Sequence, residues 1–209
     1  MINLLKSIFI MISLICSNVF GQTINRYGTT AANFLEIGVG SRATSMGDAY
    51  VAVANDVSSI YWNPAGLSNV SNSSALFMVQ PWLVDIDMLF AGGAVVVPNV
   101  GVLGLGITHL DYGEMDVTNL EYQDGTGERF GASDMAATFT FSRKIVSWFS
   151  FGSSMKYISS NIWHSSASAF AIDLGVLVNT KFFSFTGNDK DGMNIGMSIS
   201  NYGLSLIHI

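Results

Sequence analysis

This chain carries very little charge. Asp, Glu, Lys and Arg make up 11% of its 209 residues, against about a quarter in typical globular proteins. So few charges cannot cover an ordinary water-facing surface, so part of the exterior is expected to meet lipid or a partner. Basic residues number nine, spread along the whole length, and the net charge is -6. That balance argues against nucleic acid, because phosphate neutralisation needs clustered Lys and Arg. Cysteine is nearly absent. Cys16 stands alone, in a stretch expected to be removed, so the mature chain needs neither disulfide nor thiolate chemistry. Long apolar runs are missing too: nothing after residue 21 approaches the roughly 20 residues of a membrane helix.

Residues 1–21 read as a secretory signal peptide. Lys6 supplies a positive start, Ser7 to Cys16 (SIFIMISLIC) an apolar centre, and Gly21 a small residue before Gln22. The apolar run is short for a spanning helix. A lipid attachment at Cys16 is disfavoured by the large Ile15 where such sites want a small residue.

What the chain has is alternation. Hydrophobic residues make up 49% of it, and 21 residues are Gly. Met135, Ala137, Phe139 and Phe141 share one face of a strand, with Ala136, Thr138, Thr140 and Ser142 on the other. Phe149, Phe151, Met155 and Tyr157 oppose Ser150, Gly152, Ser154 and Lys156. Phe170, Ile172, Leu174, Val176 and Val178 oppose Ala171, Asp173, Gly175 and Asn179, with Leu177 out of pattern. Leu103, Leu105 and Ile107 oppose Gly104, Gly106 and Thr108, and Ile195, Met197 and Ile199 oppose Gly196, Ser198 and Ser200. This is the two-residue period of strands with one apolar face.

A soluble sandwich gives the same period. Three features favour a transmembrane antiparallel up-and-down β-barrel. The strands reach about ten residues, enough to cross a bilayer when tilted. Their polar faces are Gly, Ser, Thr, Asn and Asp, which suit a lumen. Tyr112, Trp148, Tyr157, Trp163 and Tyr202 gather near expected strand ends, where amphipathic rings favour an interface. Turns are expected at Pro98-Asn99 and at 186–192 (TGNDKDG), a longer loop at 122–131 and a short link at 143–147. Counting from Ser74 gives about eight strands. Residues 204–209 give no clear terminal strand, and a barrel must pair its last edge with its first. The barrel is therefore expected to be incomplete in this chain.

Chemistry-bearing residues are scattered. His109, His164 and His208 lie in different segments without metal-ligand spacing, so interfacial or lumen histidines are the ordinary reading. Asp111 would share a strand face with His109, as a polar lumen pair. Gly38-Val39-Gly40 lacks the third glycine of a dinucleotide loop, position 43 being Ala. Asp85 and Asp87, and Asp111, Glu114 and Asp116, cluster at expected strand ends and read as solvated loop carboxylates. Asn188, Asp189 and Asp191 lack the spacing and closing Glu of a calcium loop. Lys156 and Asp173 fall on neighbouring strands and could form a lumen ion pair. No nucleophile, base and oxyanion donor come together. The chain is expected to be no enzyme and to carry no cofactor or metal.

One stretch breaks the alternation, residues 34–67: FLEIGVGSRATSMGDAYVAVANDVSSIYWNPAGL. Its Phe34-Leu35, Gly40-Ser41-Arg42-Ala43, Met46-Gly47-Asp48-Ala49, Ala54-Asn55-Asp56 and Tyr61-Trp62-Asn63-Pro64-Ala65-Gly66-Leu67 resemble the N-terminal signature of the PorV/PorQ family of Bacteroidota-type outer-membrane proteins, relatives of the FadL-like transporters. The strands resemble that family only in texture. The resemblance implies an all-β, FadL-like barrel of about fourteen strands with an N-terminal segment folded into its lumen. It implies an outer-membrane location, lipid contact, and a part in type IX secretion, binding the C-terminal signals of cargo. A FadL-like channel for a small hydrophobic ligand is the alternative. The domains are then a signal peptide (1–21), a plug-like segment (22–73) and partial barrel strands (74–209). Small residues suit packing inside a pore, and Asn63-Pro64 sets a rigid turn. Gly40, Ser41, Arg42, Met46, Gly47, Asp48, Ala49, Asp56, Asn63, Pro64, Ala65 and Gly66 form the plug motif. Arg42 and Asp48 would anchor it to lumen groups or pair locally at the surface.

Overall fold

The computed structural model describes residues 32–84, 86–184, 186 and 192–203. The expected signal peptide, the segment up to residue 31, Asp85, most of the 186–192 turn and the 204–209 tail with His208 lie outside the described residues. No helix among the described residues is long and apolar enough to cross a membrane.

Alternating sequence produces strands here because each strand can bury one face and turn the other outward. Strands β1 (Ser74–Pro81), β2 (Asp87–Val97), β3 (Gly101–Asp116), β4 (Arg129–Val146), β5 (Phe149–Ile162), β6 (Ser165–Asn179) and β7 (Asn194–Gly203) form one sheet in chain order. Every neighbouring pair is antiparallel. The fold is all-β. The described residues hold seven strands rather than about eight, and β1 and β7 are each paired on one side only.

Strand limits differ from the expected ones where pairing overrides pattern. β3 continues to Asp116 through an irregularity between Asp111 and Glu114, which breaks the two-residue period. β4 begins at Arg129, inside the expected loop, and runs to Val146 through the expected 143–147 link. Backbone pairing with β5 carries it there, with a further irregularity between Lys144 and Val146.

The inner face buries polar residues beside apolar ones, and the outer face is apolar. Thr138, Thr140, Ser142, Ser150, Ser154, Lys156 and Asp173 are buried. Leu105, Ile107, Phe139, Met155, Phe170, Ile172, Leu174 and Met197 are exposed. His109 and Asp111 fall in phase with Leu105 and Ile107, on the outward face, so they are no lumen pair. Leu177, out of pattern in sequence, lies buried on the inner face with Asp173 and Gly175.

What buries that inner face is the segment before β1. It comprises a 3-10 turn (Asn33–Glu36), α1 (Ser41–Thr44), α2 (Ser59–Trp62) and a second 3-10 turn (Pro64–Asn69). These pieces are too short to be stable as isolated helices, so tertiary packing holds them. Phe34, Leu35, Val39, Val57, Ile60 and Leu67 share one core with Met88, Phe90, Ala94, Val102, Leu110, Ala136, Ile158 and Ala171 of the sheet. Each fully buried large aliphatic side chain contributes about 1.5–3 kcal/mol.

Candidate functional site

The sheet meets the segment through a row of residues without side chains. A Cβ on Gly104 would run into Leu67 and Ile60. On Gly152 it would collide with the Pro64 carbonyl and the Ala65 amide. On Gly175 it would strike the Asn63 carboxamide and the Pro64 ring, and on Gly196 the backbone of Ala52. These glycines lie on β3, β5, β6 and β7, so the segment reaches across the sheet from Ala52 to Leu67. Close backbone approach is what requires glycine here.

Asn63 is the fastener. It is fully buried, and burying an amide is tolerable only when its groups are bonded. Its Oδ1 accepts the Ala65 amide at 3.1 Å, which starts the Pro64–Asn69 turn. Its Nδ2 donates to the Val51 carbonyl at 2.8 Å and to the Val176 carbonyl of β6 at 3.2 Å. Pro64 occupies the first turn position, where no amide is needed. The Ala65 carbonyl accepts Ser142 Oγ of β4 at 3.1 Å. Gly66 packs on the Ala54 carbonyl and Ser59, where a Cβ would collide. Asn63, Pro64, Ala65 and Gly66 are thus brought together against the sheet.

The first half of the motif is placed differently. Gly40 precedes α1 with a positive φ of 99°, Gly47 and Asp48 turn with φ of 62° and 63°, and Ser41, Arg42, Met46, Gly47, Asp48 and Ala49 are exposed. Arg42 donates to Asn55 Oδ1 at 3.1 Å and lies 5.4 Å from the Tyr50 ring centre. It stays within the segment and does not anchor to the sheet. Asp48 lies against Gly38, whose missing side chain leaves room for the carboxylate. Among the described residues Arg42 and Asp48 form no ion pair with each other. Asp56 braces the turn into α2, its Oδ1 accepting the Ser58 amide at 2.9 Å and Ser58 Oγ at 2.5 Å. Its Oδ2 accepts Tyr50 Oη at 3.4 Å.

Two aromatic donors, to which the sequence assigned no role, fasten the arm at 33–39. Tyr61 Oη donates to the carbonyls of Leu35 at 2.7 Å and Ile37 at 2.8 Å, and Trp62 Nε1 to that of Val39 at 2.8 Å. Three alternate carbonyls of one strip are held by neighbouring residues of α2. Burial first, and then the charges of Asp48 and Glu36, raise the Tyr61 phenol well above its ordinary value. Burial and the Asp56 charge raise Tyr50 as well.

The polar groups beneath are paired with each other. Lys156 Nζ meets Asp173 Oδ2 at 2.8 Å with side chains only 4% and 2% exposed, which makes it a buried pair, and donates to Asn201 Oδ1 at 2.8 Å. The Asn201 amide donates to Asp173 Oδ1 at 2.7 Å. Asp134, also missed in sequence, accepts Tyr112 Oη at 2.6 Å and Ser160 Oγ. Tyr112 therefore turns inward, and Tyr157 stands mid-strand beside Phe170; neither marks a strand end as expected. Among the described residues no three His, Cys, Asp or Glu side chains converge as metal ligands. The contacts of Asn63 and Ala65 fix the segment to the sheet.

No protein-family model matches the chain, and no curated protein matches it.

Proposed function

We propose that this chain forms part of an outer-membrane β-barrel similar to the PorV/PorQ family, with residues 22–73 as its plug. In this reading it is a non-enzymatic component of type IX protein secretion in a Bacteroidota-type bacterium, and it binds or shuttles secreted cargo. The observation that carries the membrane half is the exposed apolar face of the sheet. Exposed Leu105, Phe139, Met155, Ile172 and Leu174 back onto a buried face of Thr, Ser, Lys and Asp, which suits lipid outside and an enclosed interior. β3, β4, β5 and β6 have 16, 18, 14 and 15 residues, more than the roughly 9–11 that a tilted strand needs to cross. The filled inner face favours binding over conduction, since a FadL-like channel for hydrophobic compounds needs the segment to move aside. The secretion half rests on the resemblance of residues 34–67.

Deletion of the gene tests the choice. A cargo carrier leaves secreted proteins stranded in the periplasm and co-purifies with them. Intact secretion with impaired uptake of an apolar compound selects the channel instead.

A further inference from the structure

The β4–β5 hairpin outreaches its neighbour. The ladder between β3 and β4 stops at Val102 and Ser142, whereas β4 continues to Val146 and returns as β5 at Phe149. Arg143, Lys144 and Val146 pair with β5 alone, with the irregularity between Lys144 and Val146 leaving Ile145 outside the ladder. At about 3.3 Å per residue, Arg143 and Lys144 ahead of that irregularity give about 7 Å of regular free strand edge. Where a longer β3 would lie there is a cavity of about 320 Å³. Its walls are Val70 from the segment, Val96, Val100 and Val102 from the β2–β3 hairpin, and Arg143 and Lys144.

The two cations are exposed, and among the described residues neither side chain has an ion-pair or hydrogen-bond partner. The other described basic side chains are engaged: Arg42 on Asn55, Arg129 on Glu114 and Asp116, Lys156 on Asp173, and Lys181 also has a partner. The exposed carboxylates Glu114, Asp116, Glu121, Asp124 and Glu128 sit at the opposite end of the sheet, in and beside the β3–β4 connection. A free edge, an apolar hollow beside it and two unsatisfied positive charges coincide at one place.

We propose that this notch docks an extended acidic peptide of a partner protein. The peptide adds as a short strand along Arg143 and Lys144, its carboxylates meet their side chains, and an apolar side chain enters the valine-walled hollow. Main-chain bonds supply affinity in such strand addition, and side chains supply specificity. The cavity opens beside Val70 of the segment; Lys144 is in phase with the inward-facing Ser142 and Arg143 with the outward-facing Phe139, so the vesicle arm of the test separates a peptide from a lipid headgroup. The inference goes beyond the proposed function, and only the detergent and the gel-mobility control of its test rest on that reading.

The test is fluorescence anisotropy of a dye-labelled Glu-Glu-Val-Glu-Glu peptide with the purified full-length protein in detergent. Binding is expected, weakened at least tenfold by Arg143→Gln with Lys144→Gln and by proline in place of the peptide's valine. Arg129→Gln at the other end should leave it unchanged. Unaltered gel mobility of the unheated variants shows that they fold. Absence of binding, equal binding by the double variant, full displacement by inorganic phosphate, or capture of anionic vesicles in place of the peptide would overturn it.

Discussion

Asn63 donates its carboxamide to the backbone carbonyl of Val176, 113 positions later in the chain, at 3.2 Å. That bond joins the segment before the first strand to the sixth strand, and Gly175 beside Val176 leaves the space that lets Asn63 approach. Segment and sheet are therefore joined directly at this point.

Gly175→Ala is expected to cost about 1–3 kcal/mol, the range for forcing an extra methyl into a packed core. The methyl would meet the Asn63 carboxamide and the Pro64 ring. Gly93→Ala is the control, since its Cβ would find nothing nearer than the Ser74 carbonyl at 4.0 Å. Urea unfolding in detergent compares the two; equal effects would remove the steric role assigned to Gly175.

Asn63→Ala leaves the buried Ala65 amide without the oxygen to which it donates. The expected loss is about 1–3 kcal/mol for a buried group left unpaired. The segment should become accessible to protease while the strands remain protected. If sheet and segment are cleaved at the same rate, Asn63 is not the local fastener.

Lys156→Met leaves Asp173 buried and unpaired, at a cost of about 3–5 kcal/mol. Lys156→Met with Asp173→Leu should recover part of that loss, because an apolar pair of similar volume avoids the stranded charge. A double variant weaker than the single one would show that the Asn201 contacts dominate instead.

Alkaline pH should release the arm at 33–39. Burial chiefly holds the Tyr61 phenol above its ordinary value of 10.0. A phenol whose folded value is raised contributes stability that is whole below the unfolded value and is lost as pH rises through the folded one. Docking is therefore expected to be steady up to about pH 10 and to weaken above it, as tyrosinate absorbance appears. Tyr61→Phe should lower stability by about 0.5–1.5 kcal/mol per hydrogen bond lost and remove this share of the pH dependence. An unchanged alkaline profile in that variant would assign it to another group.

Much of the sheet was legible in the chain because a two-residue period writes each strand's faces directly into the sequence. Phe139, Met155 and Ile172 on one side and Thr140, Ser154 and Asp173 on the other needed nothing more. Strand ends were less legible. Arg143, Lys144 and Val146 are held in β4 by backbone pairing with β5, which leaves no compositional mark, and the irregularity after Asp111 shifts the phase of Glu114 to Asp116. In the segment, Asn63 to Gly66 stood out because proline and glycine have few places to go. The work of Tyr61 and Trp62 did not, since it depends on carbonyls at Leu35, Ile37 and Val39 far away in sequence. The one available signal was two adjacent rings with polar tips ahead of Asn-Pro. For Arg42 and Asp48 the sequence left a lumen anchor and a local surface pair open, because exposure is not written in the pattern there; both are exposed.

Which face of the sheet meets lipid decides the membrane reading most directly. Single cysteines placed at Phe139 and at Thr138, neighbours on opposite faces of β4, can each carry a fluorescent label in the protein reconstituted into bilayers. A lipid-attached nitroxide should quench the label at Phe139 strongly and the one at Thr138 weakly, with water-soluble quencher excluded from Phe139. Quenching of Phe139 by the water-soluble reagent, with none from lipid, would contradict the membrane reading.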